Sequence, residues 1–555
     1  MRLEKRQSLG TERLLHHGAW LAAGLGFLVL NTLLVFHNSW PGMGVALVPR
    51  LSLEMFLGLV ALAWWVGRRG VLSPRGRTWL AIGLVGLVLV RYANVTAPSM
   101  MGRPVHVYWD GRHLLEVGKV LGSSWPAWQI ATWGLLLVVG LVVLYGVVRV
   151  SLEALEIGLR RPDVRYSAQL LAITGVVAFA IHPLGPWDTR RHFSAPILPT
   201  VVQQGVLLTQ ALQPHRYAAT LGPSPAFDTD LSALQTDSGP LDVLLLFAES
   251  YGAITLDDED FAAALGPARQ RLTEALERAG WSVVSGRVRA STFGGASWLS
   301  HGSLLSGVDT SDPLRYSLLL TSQRPTLVSH FAAHGYRTVG WMPGIKRLWP
   351  EGLFFGFDRI ADDATIGYQG LDFGYWRIPD QASMALLHDQ EFRTSPTQRQ
   401  PVFAVFPTIT SHAPFHPLPP LLSSALAPLD AHAYTPADVM QALANPPTAG
   451  QATGPYLRSI SDLFDWLAVY IDDLAPPNLM LLMVGDHQPP GIIRGDDASW
   501  DVPVHIMSAH DSVLQRLEAK GFVAGLLPSH HTLATMHGLT QILLDVFDAD
   551  SGMAE

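Results

Sequence analysis

The apolar positions of this chain fall into two patterns that change over near residue 240. Up to Ile181 they come as long runs, over residues 18–36, 46–66, 78–90, 125–148 and 167–181. The first, second and fourth approach the roughly 20 residues that a helix needs to cross a bilayer. The third is short. The second carries Glu54, which either faces a polar cavity or marks a later start of the span. We read these runs as about five spans, with four or six left open, of an α-helical transmembrane domain over residues 1–182.

Basic residues decide the orientation of such a domain. Arg2, Lys5, Arg6 and Arg13 precede the first run, and Arg68, Arg69, Arg75 and Arg77 lie between the second and third. Arg149, Arg160, Arg161 and Arg165 lie between the fourth and fifth, whereas the connection over 36–46 has none. With five spans this puts the N-terminus in the cytoplasm and everything after about residue 181 outside. The expected location is a bacterial cytoplasmic (inner) membrane, with the rest of the chain periplasmic or extracellular.

Residues 183–240 break into short apolar stretches with scattered Pro, Gly and Gln, and we expect a juxtamembrane linker with an amphipathic helix over 197–212. From Leu241 the pattern is compact: buried-strand runs at 242–247, 282–288, 338–341, 402–408, 478–484 and 502–507. Helical periodicity over 261–279, 324–334, 456–474 and 531–547 separates them. Strands alternating with helices imply an α/β domain over 241–555, built around a mostly parallel sheet.

Composition narrows the chemistry. A net charge of −8 without a sustained basic block argues against a nucleic-acid partner. The chain has no cysteine, so disulfides, thiolate zinc sites and a cysteine-derived nucleophile are excluded.

Several predicted strands stop at residues able to do chemistry, and ligands of open α/β sheets sit beyond the carboxyl ends of the strands. DVLLLFAES ends at Glu249, and LLMVGDHQPP delivers Asp486 and His487, oxygen and imidazole donors suited to one divalent cation. TITSHAPFHP presents His412 and His416 between prolines. In STFGGASWLSHGSLLSG two glycines precede Ser297 at the start of a helix, where free amides and the helix dipole suit an anionic oxygen. Each stretch also has a plain reading: Asp486 and Ser297 as caps, the histidines as surface residues, Asp380 as a turn residue.

Taken together, the order carboxylate, serine, loop histidine, Asp-His resembles the sulfatase branch of the alkaline phosphatase superfamily. SWLSHGSLLSG is similar to the sulfatase signature C/S-x-P-S-R-x-x-L-x-T-G, with Ser297 on the nucleophile, Ser300 on the signature serine, and Leu304, Ser306 and Gly307 on its tail. Leu299 replaces the signature proline and His301 the arginine. Both departures speak against a formylglycine and for an unmodified Ser297. Spans followed by such a domain resemble lipoteichoic acid synthase and the phosphoglycerol and phosphoethanolamine transferases.

The resemblance implies that Glu249, Ser297, Asp486 and His487 hold one divalent ion (Mn, Mg or Zn), with Ser297 as nucleophile and His412 as the group protonating the leaving oxygen. Ser300, His301, Lys346, Arg347 and His416 are the candidate substrate contacts. The implied activity moves a phospholipid head group onto an envelope glycan or lipid through phospho-Ser297, so the implied partners are a membrane phospholipid donor and a glycan or lipid acceptor. Two other readings stay open: a tethered phosphate- or sulfate-ester hydrolase, and a non-catalytic sensor or scaffold.

Overall fold

The computed structural model describes residues 2–39, 43–101, 105, 107, 110–111, 126–181, 192–213, 221–237, 239–346, 349, 351–444, 446–447, 451–494 and 499–549. The chain divides into two compact units, Met1–Ser99 with Ala127–Leu207, and Met100–Pro126 with Leu208–Glu555.

The first unit is helical: α1 (Arg2–Leu34), α2 (Leu53–Arg69), α3 (Pro74–Met101), α4 (Ala127–Leu159), α5 (Pro162–Ile181) and α6 (Leu198–Leu212). Among the described residues four helices are long and apolar enough to cross a membrane, within α1, α3, α4 and α5. The five-span expectation is therefore met by four, and the second run differs for a local reason. Its first residues form a hairpin, Phe36–Ser39 against Gly44–Leu47, and the helix starts only at Leu53. Ser52 caps it, accepting from the Met55 amide, and Glu54 sits in its first turn. The 17 residues that remain would rise about 25 Å, at the lower limit for a span.

Small residues let these helices meet. A Cβ on Gly26 of α1 would lie 2.5 Å from the Ser151 carbonyl of α4, and one on Gly158 would lie 2.5 Å from the Ala23 Cβ. At one end, Arg77 of α3 reaches the fully buried Glu156 of α4 through bonds of 3.3 and 3.0 Å. Arg149 of α4 donates to Thr78 at 2.9 Å.

The second unit is built on one nine-stranded sheet. Its strands are β1 (Asp242–Ala248), β2 (Ser282–Arg289), β3 (Arg337–Met342), β4 (Arg359–Asp362), β5 (Val402–Pro407), β6 (Leu479–Gly485), β7 (Asp501–Ser508), β8 (Val523–Ala524) and β9 (Thr532–Thr535). They lie in the order 4-3-5-1-6-7-2-8, with β9 beside β2. The sheet is mixed, where the alternation of strands and helices led us to expect a mostly parallel one. The run 4-3-5-1-6 is parallel, but β7 is antiparallel to both β6 and β2, and β8 is antiparallel to β2. A parallel pair needs a crossover, usually a helix. The link from Gly485 to Asp501 instead carries Asp486, His487 and a four-residue helix.

β1 and β6 are buried at every position, so apolar layers form on both faces. On one, α7 (Glu259–Ala279), α9 (Asp380–Leu387) and α10 (Thr453–Asp473) supply residues such as Leu272, Ala382 and Phe464. On the other, α8 (Ser297–Ser306) and α11 (Met536–Phe547) contribute Leu304 and Leu543. This sandwich fixes β5, β1 and β6 side by side, with their carboxyl ends aligned.

Candidate metal site

Glu249 follows β1 and Asp486 follows β6, and the two strands pair in register to Gly485 opposite Ala248. The two carboxylates thus emerge beside each other because the strands that carry them end together. Ser250, between them, adopts φ +58°, an unusual conformation for a non-glycine residue. That turn aims its amide at Asp486 Oδ1 (2.8 Å) and its hydroxyl at Glu249 Oε1 (2.9 Å). Tyr456 of α10 donates its phenol to the Ser250 carbonyl at 2.9 Å. From β5, Thr408 Oγ1 accepts from the Glu249 amide (3.0 Å), and Ser411 Oγ donates to the Glu249 carbonyl (2.6 Å).

Ser297 arrives from the fourth direction. Gly294, Gly295 and Ala296 all have positive φ, of 62°, 139° and 59°. This turn delivers Ser297 as the first residue of α8, an end that no side chain caps. Its Oγ donates to Glu249 Oε2 at 2.9 Å and lies 3.0 Å from His487 Nε2. His487 Nδ1 is 2.8 Å from the Gln488 carbonyl. A carbonyl can only accept, so Nδ1 carries a hydrogen and Nε2 is the ring atom aimed at the cluster. Gln488 is itself pinned, donating to the Ser499 and Asp501 carbonyls at 2.9 and 3.0 Å.

Glu249, Asp486 and His487 are all buried, and one potential ligand atom from each lies within 4.8 Å of the others. Asp486 Oδ2 is buried without a hydrogen-bond partner and stands 3.7 Å from both His487 Nε2 and His301 Nε2. Two buried carboxylates this close require a positive charge between them. In the metal-free site His487 supplies it: burial opposes its charged form, but Asp486 and Glu249 outweigh that and push the imidazole up to about 9. Glu249 goes the other way, burial being outweighed chiefly by the His487 charge, so its carboxyl lies well below the usual range. Burial first, and the Glu249 charge second, raise Asp486. A hard divalent cation fits this donor set. Two carboxylates, an imidazole nitrogen and a hydroxyl converge, one carboxylate oxygen lacks a partner, and a cation would replace the proton on His487. Glu249, Asp486, His487 and Ser297 would hold it, and it would supply charge to lower the pKa of the serine hydroxyl.

The other expected residues divide. His412 Nδ1 lies 2.7 Å from the Ala413 carbonyl, its ring tilts against Trp376 at 5.0 Å, and its charge bears on Glu249. His301 lies over the Phe247 ring at 4.1 Å, beside Asp486. His416 lines a small recess with His412, Thr410, Trp376 and Phe373, and burial lowers its pKa. Ser300, expected to touch substrate, is fully buried on the packed face of α8 with no hydrogen-bond partner, so it has no surface to offer. Lys346 is engaged elsewhere, 3.7 Å from Asp363 and over the Tyr375 ring at 5.1 Å. Arg347 lies outside the described residues.

Sequence reasoning missed one supporting residue. Asp380 read as a turn former; it is buried at the start of α9, and its two oxygens accept from the Ile409 and Thr410 amides, both at 2.9 Å. It thereby fixes the loop that carries His412. The Pro before it and the helix after it marked a capping position, but nothing local named the loop it holds.

No family model and no curated protein matches this chain. Solved structures do, one of them described as a protein of the alkaline phosphatase superfamily. An alkaline phosphatase superfamily protein from Vibrio parahaemolyticus is 14% identical, with a TM-score of 0.34, over 54% of this chain and 68% of its own. The lipoteichoic acid synthase LtaP from Listeria monocytogenes is 12% identical, with a TM-score of 0.33, over 54% and 71%. The C-terminal periplasmic domain of EptC from Escherichia coli, in complex with Zn, is 14% identical, with a TM-score of 0.31, over 52% and 76%.

Proposed function

We propose that this protein is a metal-dependent, membrane-anchored phosphotransferase that takes a phosphoglycerol- or phosphoethanolamine-type head group from a phospholipid. It passes the group through phospho-Ser297 to a hydroxyl of an envelope glycan or lipid. The observation that carries the reading is the position of Ser297 Oγ, 2.9 Å from Glu249 Oε2 and 3.0 Å from His487 Nε2 at an uncapped helix start. A serine hydroxyl is a weak nucleophile unless its proton has an acceptor. Here the hydroxyl faces a carboxylate held ionised, while the amides opening α8 face where phosphoryl oxygens would gather negative charge.

In the first step the Ser297 Oγ–P bond forms and the bond from phosphorus to the diacylglycerol oxygen breaks. The serine proton leaves toward Glu249, and the departing oxygen takes a proton from His412. In the second, an acceptor hydroxyl gives its proton back to His412 and attacks phosphorus, the Oγ–P bond breaks, and Ser297 Oγ takes back the proton held at Glu249. Water in place of that acceptor would make the same centre a phosphodiesterase. A divalent cation held by Glu249, Asp486, His487 and Ser297 would supply charge stabilisation for both steps.

An extracytoplasmic site requires an odd number of spans after a cytoplasmic N-terminus, so α2 must cross despite its 17 residues. The cysteine-free chain suits the test: single cysteines at Val45 and at Ser73 should label from opposite sides of the membrane, and labelling from one side would sink this orientation.

The function is tested by intact mass of the full-length protein after incubation with defined phospholipids and Mn²⁺, beside Ser297→Ala. A gain matching one head group, absent in the variant, is expected. Metal-dependent hydrolysis of small phosphate or sulfate esters without any lipid adduct would replace the transferase with a tethered hydrolase.

A further inference from the structure

The helical unit contains a second charged cluster that the chemistry of Ser297 does not use. Arg91 lies in α3, six residues before Ala97, the end of the span-length stretch Pro74–Ala97, and so about 9 Å along the helix from that end. Its side chain is 9% exposed. One terminal nitrogen donates to the Phe36 carbonyl at 2.7 Å, and the guanidinium lies 5.9 Å from the Phe36 ring centroid. Its Nε is buried with no partner.

Arg50 stands nearby in the same condition. Its Nη1 meets His37 Nε2 at 3.2 Å, and its Nε is also buried and unpartnered. An arginine nitrogen can only donate, so His37 accepts and is neutral there. Burial, then the charges of Arg91 and Arg50, lower the His37 pKa and keep it so.

Among the described residues the acid whose charge bears on Arg91 is Glu54. Its oxygens are committed: Oε1 accepts from the Ile197 and Leu198 amides at 2.9 and 2.8 Å, and Oε2 from Ser52 Oγ at 2.7 Å. Among the described residues two guanidinium charges stand against one carboxylate, together with two buried N–H groups that have no acceptor. Each such group carries a desolvation cost that an anionic oxygen removes.

We infer that Arg50 and Arg91 form a binding site for a phosphate oxyanion at this end of the helical unit. The guanidinium fork suits phosphate oxygens, and although the Arg91 backbone lies within the span-length stretch, its side chain reaches the Phe36 carbonyl, beyond the end of the stretch His17–Leu34 and toward the level of a lipid head group. The same chemistry would accept a phospholipid phosphate or inorganic phosphate. The site lies wholly in the helical unit and stands whether or not Ser297 transfers phosphoryl groups.

The test uses full-length protein in neutral detergent, following the thermal midpoint as phosphatidylglycerol is titrated in, and separately as sodium phosphate is titrated at constant ionic strength. Saturable stabilisation by the lipid in wild type is expected, with apparent affinity about tenfold weaker in Arg91→Gln and in Arg50→Gln. Arg75→Gln, at the other end of α3, should titrate as wild type does. Arg50 is only partly buried, so its variant carries the test if Arg91→Gln fails to fold. If sodium phosphate alone gives the arginine-dependent shift, the site stands with free phosphate as its ligand. The inference is overturned if the Arg50 and Arg91 variants titrate like wild type with both probes, or if Arg75→Gln loses as much as they do.

Discussion

Strand β1 begins at one buried carboxylate and ends at another, and the two are treated in opposite ways. At its start, Asp242 is fully buried and fully satisfied. Oδ1 accepts from Arg399 at 2.7 Å and from the Val402 amide at 2.7 Å; Oδ2 accepts from Arg399 at 2.6 Å and from Asn478 at 2.8 Å. At its end, Glu249 meets a second buried acid, and Asp486 Oδ2 has no donor. No arginine pairs with Glu249 or Asp486 among the described residues. Both ends carry the same kind of charge at the same depth. The difference is that the amino end is closed, each lone pair matched by a fixed donor, whereas the carboxyl end is left open for something that is not part of the chain. Full satisfaction marks a group that holds strands together, and an orphaned oxygen among converging ligands marks one that waits for a cation or substrate.

The largest effect that could break this contrast is on stability. Arg399→Ala would leave Asp242 buried with half of its donors gone. Loss of one partner of a buried pair costs about 3–5 kcal/mol. Chemical denaturation should show a drop of that size, while the protein that remains folded keeps wild-type metal affinity. A loss under about 1 kcal/mol would mean that Asp242 is no better supported than the open end.

The complementary change at the other end should reverse the pattern. Asp486→Asn keeps an oxygen for the Ser250 amide and removes one of the two facing negative charges. In metal-free protein the midpoint should stay level or rise, because repulsion with Glu249 is relieved. Affinity for Mn²⁺ or Zn²⁺ should fall by about 10- to 100-fold or more, the range seen when even outer supports of a metal site are lost. Calorimetric titration measures it directly. Unchanged affinity would remove Asp486 from the ligand set and with it the meaning given to its unpaired oxygen.

How much of this was legible in the sequence follows from which forces are local. Six strands of the central sheet announced themselves, because burial on both faces writes a continuous apolar run such as that of Leu244–Leu246, and the residue that breaks the run, Glu249, is the residue at the candidate site; the short edge strands β4, β8 and β9 wrote no such run, and β9 lies where the periodicity suggested the start of a helix. The start of α8 was readable from its turn: two glycines precede Ser297, and both adopt the positive φ that the turn requires. Strand direction was not readable, since β7 is as apolar as its neighbours and only the short link before it makes it antiparallel. The late start of α2, set by Ser52 and a hairpin, was signalled only by Glu54 as one of two readings, and the reach of Asp380 to amides 29 and 30 residues away in sequence was not readable. Ser300 fitted a signature letter by letter, yet helical geometry turns it into the core. Pattern gives position along the chain; partners across space decide what a side chain does there.

A smaller effect sharpens the comparison through histidine. His487 and His505 are both buried, and their surroundings drive them in opposite directions. His487 faces carboxylates and is raised to about 9. His505, in β7, faces only hydroxyls: Nδ1 lies 2.6 Å from Ser285 Oγ and Nε2 lies 3.0 Å from Tyr251 Oη. Ser285 Oγ also donates to the Gly525 carbonyl, so the serine accepts at the ring and Nδ1 is the protonated nitrogen. Burial, then the charge of Arg269, lowers His505 to about 3. A folded pKa below the unfolded value near 6.5 means that the unfolded chain binds the proton first. The contribution of His505 is therefore complete above pH 6.5 and is lost as pH falls from there toward 3, at about 1.4 kcal/mol per pH unit. His505→Asn, which keeps a donor and an acceptor but does not titrate, should flatten the fall in stability between pH 6 and pH 4.5 by about that slope. The Glu249–Asp486–His487 cluster is common to both proteins, so its own titration cancels in the difference. Equal slopes would show that His505 takes up a proton in the folded state, and that its two hydroxyl partners do not hold it neutral.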